Sequence, residues 1–230
     1  VRISINTFLD GNQDGSLADY VVGMTRALEE RGFAGVWLGE HLVGFKAYDP
    51  AYPYPYNRDG SAPPILTQVG LMEPMATLAA MAMCSKTLRL GTGIAILPQR
   101  NPVYFAKEGA AVDLLSNGRF IAGVGLGWSG QEFAAAGTPF AHRGSRMNEY
   151  LDVVRSLWVD ELSSFEGRFY SLPECIQLHK PVQRPHPPFY FGGESEVAMR
   201  RIAKYGQGWF GLYLKPEDVA PRLRLLTEEM

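Results

Sequence analysis

The sequence predicts a parallel α/β barrel of the TIM type, and three observations carry that prediction. Apolar strand-like runs alternate with helix signals about six times, which argues a parallel sheet built through right-handed crossovers. Polar or glycine-rich residues follow several of these runs, which favours a barrel mouth over the single switch point of an open doubly wound sheet. The run GRFIAGVGLGWSGQEF, Gly118 to Phe133, begins as a continuous apolar strand and ends in glycines where a ligand can approach backbone. The number of units falls short of eight, so the expected barrel lacks, or does not show, its last strand units.

The elements follow in order. A strand at Arg2 to Thr7 precedes a helix in which Leu17, Val21, Met24 and Leu28 recur at helical spacing, with Ser16 as its cap and Gly32 as its stop. A short apolar strand, Ala34 to Leu38, delivers Glu40 and His41 at its C-terminal end, where barrels keep their chemistry. The pattern then dissolves into AYDPAYPYPYNRDGSAPP, too long and too aromatic for a plain connection, which predicts a lid-like insertion at about 43–72. A helix at Pro74 to Ser85 leads to a strand at Leu88 to Ile96. Asn101 and Pro102 then supply the cap and first turn of a helix ending at Asn117 and Gly118.

After a strand at Gly118 to Gly127, one long helix buries Met147, Leu151, Val154 and Trp158. Phe165 to Leu178 predicts a hairpin within an excursion at about 163–187, and the prolines from Lys180 to Pro188 exclude a helix. Phe189 to Phe191 is a strand running into Gly192–Ser195 and a helix that ends near Tyr205 and Gly206. Trp209 to Tyr213 closes the strand series, before a helix from about Pro216.

With 230 residues, 46% of them hydrophobic, and a net charge of −2, the chain suits one large α/β domain over 1–230. Near-neutral charge and the lack of a basic run interleaved with aromatics argue against nucleic-acid partners. No apolar run of membrane-spanning length and no signal-peptide pattern is present, so no membrane partner and a cytoplasmic location are expected. The two cysteines, Cys84 and Cys175, are expected to be reduced structural thiols.

Four features could carry chemistry. GLGWSG, Gly125 to Gly130, matches GxGxxG formally, but no strand about twenty residues on can offer an acid to a ribose, so a dinucleotide fingerprint is rejected. Its glycines either ease a tight turn or let a flat ligand lie on backbone. Gly192, Gly193, Glu194 and Ser195 form either an anion cradle at a helix N-terminus or a plain loop with Ser195 as cap. His41 is either a satisfied core histidine or a proton carrier at a strand end. Arg143 and Arg146 flank a helix start, where a solvated face is the expectation. His142, His179 and His186 lack metal-ligand spacing, so no metal is predicted, and no nucleophile elbow or Cys/His pair stands out. Any chemistry therefore calls for a cofactor.

Together, FAGVWLGEH, then LRLGTGIAILPQRNPVYFAKEGAAVDLLSNGRFIAGVGLGW, then PFYFGGESEVAMRRIAKYGQGWFG resemble the bacterial luciferase-like superfamily, in particular its deazaflavin-dependent oxidoreductases. The resemblance implies a TIM barrel with coenzyme F-420 or flavin mononucleotide (FMN) across the C-terminal mouth. It implies cofactor contacts from Glu40, His41, Thr92, Gly93, Ile94, Gly127, Trp128, Gly192, Gly193, Glu194 and Ser195. Gly93 and Ile94 fall where such enzymes have a strand-end bulge, often with a non-prolyl cis bond, and Gly192–Ser195 where they take the phosphate. His41 is then the candidate catalytic residue. Tyr48, Tyr52, Tyr54 and Tyr56 would form the substrate lid. Sugar-phosphate dehydrogenases of this family carry a catalytic Glu where this chain has Trp128, so that reaction is not expected. The family's last strands are absent after Met230. The implied activity is hydride transfer between F-420 and a small organic substrate by a homodimer. The alternatives are an FMN monooxygenase and a non-catalytic flavin-binding protein.

Overall fold

A computed structural model describes residues 2–7, 16–48, 70–212 and 214–229. In chain order these form β1 (Ser4–Thr7), α1 (Leu17–Glu30), β2 (Gly35–Leu38), α2 (Pro74–Cys84), β3 (Arg89–Thr92), β4 (Ala95–Ile96), α3 (Pro102–Ser116) and β5 (Phe120–Gly125). They continue with α4 (Gly130–Ala135), α5 (Arg143–Val159), β6 (Ser163–Glu166), β7 (Ser171–Cys175), β8 (Phe189–Gly192), α6 (Glu196–Tyr205), β9 (Gly208–Phe210) and α7 (Pro216–Glu229). The main sheet runs β1-β2-β3-β5-β8-β9, every pairing parallel, with β4 also paired to β5. Strands β6 and β7 form the expected separate antiparallel hairpin.

The sheet is curled. Strands β2 and β9 are four ladder steps apart, ~19 Å in a flat sheet. Yet the rings of Trp37 on β2 and Phe210 on β9 meet edge to face at 4.7 Å, and Trp37 reaches Tyr190 on β8 at 5.5 Å. Glycines admit these rings: a Cβ at Gly91 would lie 2.0 Å from Trp37, and one at Gly208 2.5 Å from Tyr190. The architecture is therefore a TIM-type parallel half-barrel, incomplete among the described residues.

Strands β2 and β5 are buried along their whole length because helices cover the outer face and aromatic rings occupy the inner one. Outside, α3 and α5 pack closely: a Cβ at Gly109 would lie 2.8 Å from the Trp158 ring, whose Nε1 donates to the Ala106 carbonyl at 2.7 Å. Asn101 caps α3 as expected, accepting from Val103 N at 2.9 Å, and Asn117 and Gly118 end it with positive φ. Ser16 precedes α1, but its side chain makes no capping hydrogen bond. The strand expected at Leu88 to Ile96 is two strands, parted at Gly93–Ile94, and the expected Gly118–Gly127 strand is confined to Phe120–Gly125. The sequence reading also missed α4, which precedes the long helix. Tyr213 lies outside the described residues, and among those described no helix is long and apolar enough to cross a membrane.

The N-terminal ends of the strands are tied for stability rather than chemistry. Arg119 spreads its guanidinium over the carbonyls of Ala82, Ser85, Leu88 and Ser116. Glu29, at the end of α1, accepts from Lys86 N, Thr87 N and Thr87 Oγ1 at 2.7, 2.5 and 2.7 Å. Burial alone would raise its carboxyl, but these donors outweigh it and hold the pKa at about 2, from an ordinary 4.5. A depressed carboxylate stabilises the fold above its unfolded pKa and loses that contribution as pH falls toward the folded one. Glu29→Gln is therefore expected to flatten the fall in urea midpoint between pH 5 and pH 2, leaving the other acidic groups to account for what remains.

Candidate active site

The mouth of the half-barrel has a floor made where β3 gives way to β4. The Gly93–Ile94 peptide is cis, at the position the resemblance implied. Ile94 lies across two strand ends: a Cβ at Gly125 would sit 1.8 Å from its Cδ1, and one at Gly192 2.9 Å from the same atom. Thr92, expected to contact cofactor, is the last residue of β3. It is fully buried and its hydroxyl donates to the Gly123 carbonyl at 2.6 Å, which ties β3 to β5 below the floor. Gly125→Ala should cost about 1–3 kcal/mol through overpacking against Ile94. Gly130→Ala, where the nearest atom to a new Cβ is 3.9 Å away, should leave the urea midpoint unchanged.

His41, just beyond β2, has its Nδ1 3.0 Å from both carboxylate oxygens of Glu132, and Leu42 N donates to Glu132 Oε1 at 3.0 Å. The His41 side chain is 19% exposed and that of Glu132 only 2%. A buried carboxylate next to Nδ1 favours the tautomer with the proton on that atom, which leaves Nε2 for a reacting group. Sequence reasoning missed Glu132 because it missed α4. The signal was present: Ser129 and Glu132 have the Ser-x-x-Glu spacing of a helix start, and Ser129 Oγ does accept from Glu132 N at 3.2 Å. The carboxylate turns to His41 instead of back to the cap.

Glu40, expected to contact cofactor, is a buried brace in the structure. Its Oε2 accepts from Ile96 N at 2.6 Å and its Oε1 from Arg100 Nε at 2.8 Å, with a second, shorter contact from the same guanidinium. Arg100 also contacts Glu73, at the cap of α2, and Glu108 on α3. Burial works against the Arg100 charge, but Glu40 and Glu73 raise its pKa further. Burial likewise pushes Glu73 upward, yet the Ala76 N–H and Arg100 hold it below the usual carboxylate range, whereas burial keeps Glu108 above it.

Trp128 packs edge-on to His41 at 5.7 Å and lies 5.0 Å from the Tyr48 ring. Tyr48, expected in the lid, is 4% exposed, and its hydroxyl accepts from Phe45 N at 3.2 Å. Gln131 on α4 donates to Ala47 O at 3.2 Å, so α4 and the turn before it hold this loop at both ends. Tyr52, Tyr54 and Tyr56 lie outside the described residues.

Across the mouth, Gly193 has φ 121° and a Cβ there would meet Ala198 at 3.1 Å. Ser195 Oγ caps α6, accepting from Ala198 N at 3.2 Å, which leaves the first N–H groups of α6 to a ligand or water. Glu194 is drawn aside, its Oε1 accepting from Leu212 N at 2.8 Å, and Trp209 Nε1 fixes Gly193 O at 2.9 Å. Helices α5 and α6 lie parallel, with Arg201 on Asn148 and Gly144 and Tyr205 on Asp152, so their N-termini are level. The expected solvated face at Arg143 and Arg146 is absent. Arg146 is buried on the Pro139 and Ala141 carbonyls, and Arg143, over the Phe140 ring, donates to the carbonyl of Gly127, a residue with φ 71°.

Comparison with known proteins agrees with this architecture. The chain is 31% identical over 195 residues to the uncharacterized protein Rv0953c of Mycobacterium tuberculosis (strain ATCC 25618 / H37Rv), covering 84% of this chain and 67% of that protein. It is 34% identical over 133 residues to an FMNH(2)-dependent dimethylsulfone monooxygenase of Pseudomonas putida, covering 56% of this chain and 36% of that one. Among solved structures it superposes, with TM-score 0.76 and 19% identity, on an F-420-dependent secondary alcohol dehydrogenase in complex with an F-420–acetone adduct, over 99% of this chain and 63% of that one. The chain thus spans two thirds or less of the length of these relatives. The profile of the luciferase-like monooxygenases matches residues 3–229, and the chain belongs to that family.

Proposed function

We propose that this chain carries the cofactor mouth of an oxidoreductase that moves a hydride between coenzyme F-420 and a small organic substrate. The observation that carries the reading is the His41–Glu132 pair beyond the end of β2, with the floor of Gly93, Ile94 and Gly125 and the N-terminus of α6 at the same ends of the parallel strands. These residues fit a flat ring joined to a phosphate. Glycines at 192 and 193 keep the cradle free of the Cβ atoms that would crowd Ile94 and Ala198. The N-terminal N–H groups of α6 favour an anion, and Arg143 adds positive charge beside Gly127. Ile94 would support the ring from behind, and Gly193, Ser195 and the first turn of α6 would hold the phosphate.

When bound, F-420 supplies hydride exchange at a carbon that reacts poorly with oxygen. The chain's own task is then to orient the substrate and to handle one proton. Glu132 fixes the His41 ring through Nδ1, and Nε2 gives or takes that proton at the substrate oxygen. Trp128 and Tyr48 keep water from that side of the imidazole. The homodimer implied by the resemblance and the cytoplasmic setting expected from the sequence belong to this reading as well.

A second reading keeps the site and exchanges the coenzyme for FMN in a monooxygenase. It is favoured by the 34% identity to the dimethylsulfone monooxygenase. Titrating the protein separately with F-420 and FMN, following ring fluorescence, tests both. Tight binding of F-420 alone supports hydride transfer, preference for FMN moves the assignment to the monooxygenase, and binding of neither sinks both.

A further inference from the structure

We propose that the ground beside His41 is a subsite for an uncharged, mainly apolar substrate, with Trp128 as the residue that selects it. The inference rests on the oxidoreductase reading of the site. It starts from a contiguous series of rings: His41 to Trp128 at 5.7 Å, Trp128 to Tyr48 at 5.0 Å and Tyr48 to Phe45 at 5.6 Å. Trp128 is half-buried. The two residues after His41 are apolar and open to solvent, Leu42 at 44% and Val43 at 46%. Exposed apolar side chains gathered around a polar reactive group mark ground that a ligand covers, because water gains nothing from them.

Among the described residues, most charged groups near this ground already have partners. Both oxygens of Glu40 are taken by Ile96 N and Arg100, and Arg100 is shared among Glu40, Glu73 and Glu108. Glu132 serves His41 and Leu42 N, and Arg143 serves Gly127 O over the Phe140 ring. Lys46 is the one cation of the loop between His41 and Tyr48, and it is exposed, where a single charge attracts an anion only weakly. An anionic substrate would have to shed water against Trp128 and draw Arg143 from the Gly127 carbonyl to find a counter-charge. A neutral molecule with one oxygen on an apolar body meets no such cost: its oxygen reaches His41 Nε2 and its body covers Trp128, Leu42 and Val43. That pattern selects ketones, alcohols and comparable neutral compounds over carboxylates and phosphates.

The test is calorimetric titration of the protein, with and without F-420 or FMN, using 2-octanone and octanoate as probes matched in chain length. The ketone is expected to bind about tenfold more tightly than octanoate. Trp128→Ala should weaken the ketone about tenfold. Trp128→Phe, which keeps a ring against Tyr48 and so protects the fold, should weaken it about threefold. Octanoate binding as well as the ketone, through Lys46 or otherwise, overturns the proposal. So does a ketone affinity indifferent to both Trp128 variants, which would put the probe elsewhere, for instance on the Trp37–Tyr190–Phe210 face. Trp128-dependent ketone binding in a protein that takes neither coenzyme would sink the oxidoreductase reading and leave the apolar subsite standing.

Discussion

Glu132→Gln is expected to lower turnover by roughly 10²–10⁴-fold, the usual contribution of a positioned proton carrier, while ring-coenzyme affinity stays within about twofold. The substitution preserves size and the acceptor for Leu42 N, whose bond to Oε1 is 3.0 Å, so the loop that bears His41 stays in place. It changes the partner of Nδ1. With the amide oxygen taken by Leu42 N, the amide NH₂ faces the imidazole, Nδ1 must accept, and the His41 proton moves to Nε2. Nitrogen NMR of His41 reads this exchange directly, and a merely structural role for Glu132 would not move it. His41→Ala should cost a similar factor, and the double variant little more, because two residues acting as one unit do not add. Turnover of Glu132→Gln within threefold of the parent would remove Glu132 from the mechanism.

That pairing also marks where sequence reading stops. His41 was legible because Ala34 to Leu38 is a short apolar run and whatever follows it must stand at the barrel mouth. Gly192–Ser195 was legible for the same kind of local reason, a strand end followed by a capping hydroxyl. Glu132 lies 91 positions from His41, and Arg100 lies 60 from Glu40. Such pairs are set by which strand ends the curled sheet brings together, and no window of ten or fifteen residues contains both partners. Local chemistry says least where a polar residue has two uses. Thr92 and Glu40 stand at strand ends, as ligand contacts would, yet one hydroxyl ties β3 to β5 and one carboxylate meets a guanidinium. Tyr48 fell among tyrosines whose spacing suggested a lid, although burial and the Phe45 N–H make it part of the wall. The order of strands and helices was legible almost throughout, because each follows from apolar spacing and its own stop signals.

Arg100→Leu is expected to destabilise the fold by about 3–5 kcal/mol, the cost of leaving a buried charge without its partner. For a chain of this size that corresponds to a fall in melting temperature on the order of 10 °C. The stranded charge is Glu40, whose side chain is 3% exposed and would keep only the Ile96 N–H. Glu73 and Glu108 add to the strain, since three carboxylates converge on one guanidinium and the cluster already holds more negative than positive charge. The same excess predicts the opposite sign for a second substitution. Burial already pushes the Glu108 carboxyl above its ordinary range, so Glu108→Gln removes a charge that burial disfavours and should leave the urea midpoint unchanged or raised. The double variant Arg100→Leu with Glu40→Gln should recover much of the loss, because a buried amide is far cheaper than a buried anion. Equal destabilisation by Arg100→Leu with and without Glu40→Gln would show that the guanidinium matters for its packing rather than for its charge. Because Glu40 immediately precedes His41 and is bonded to Ile96, this cluster fixes the strand end that carries the proton site against the floor that carries Ile94. Loss of stability and loss of turnover should therefore travel together at Arg100 and separate cleanly at Glu132.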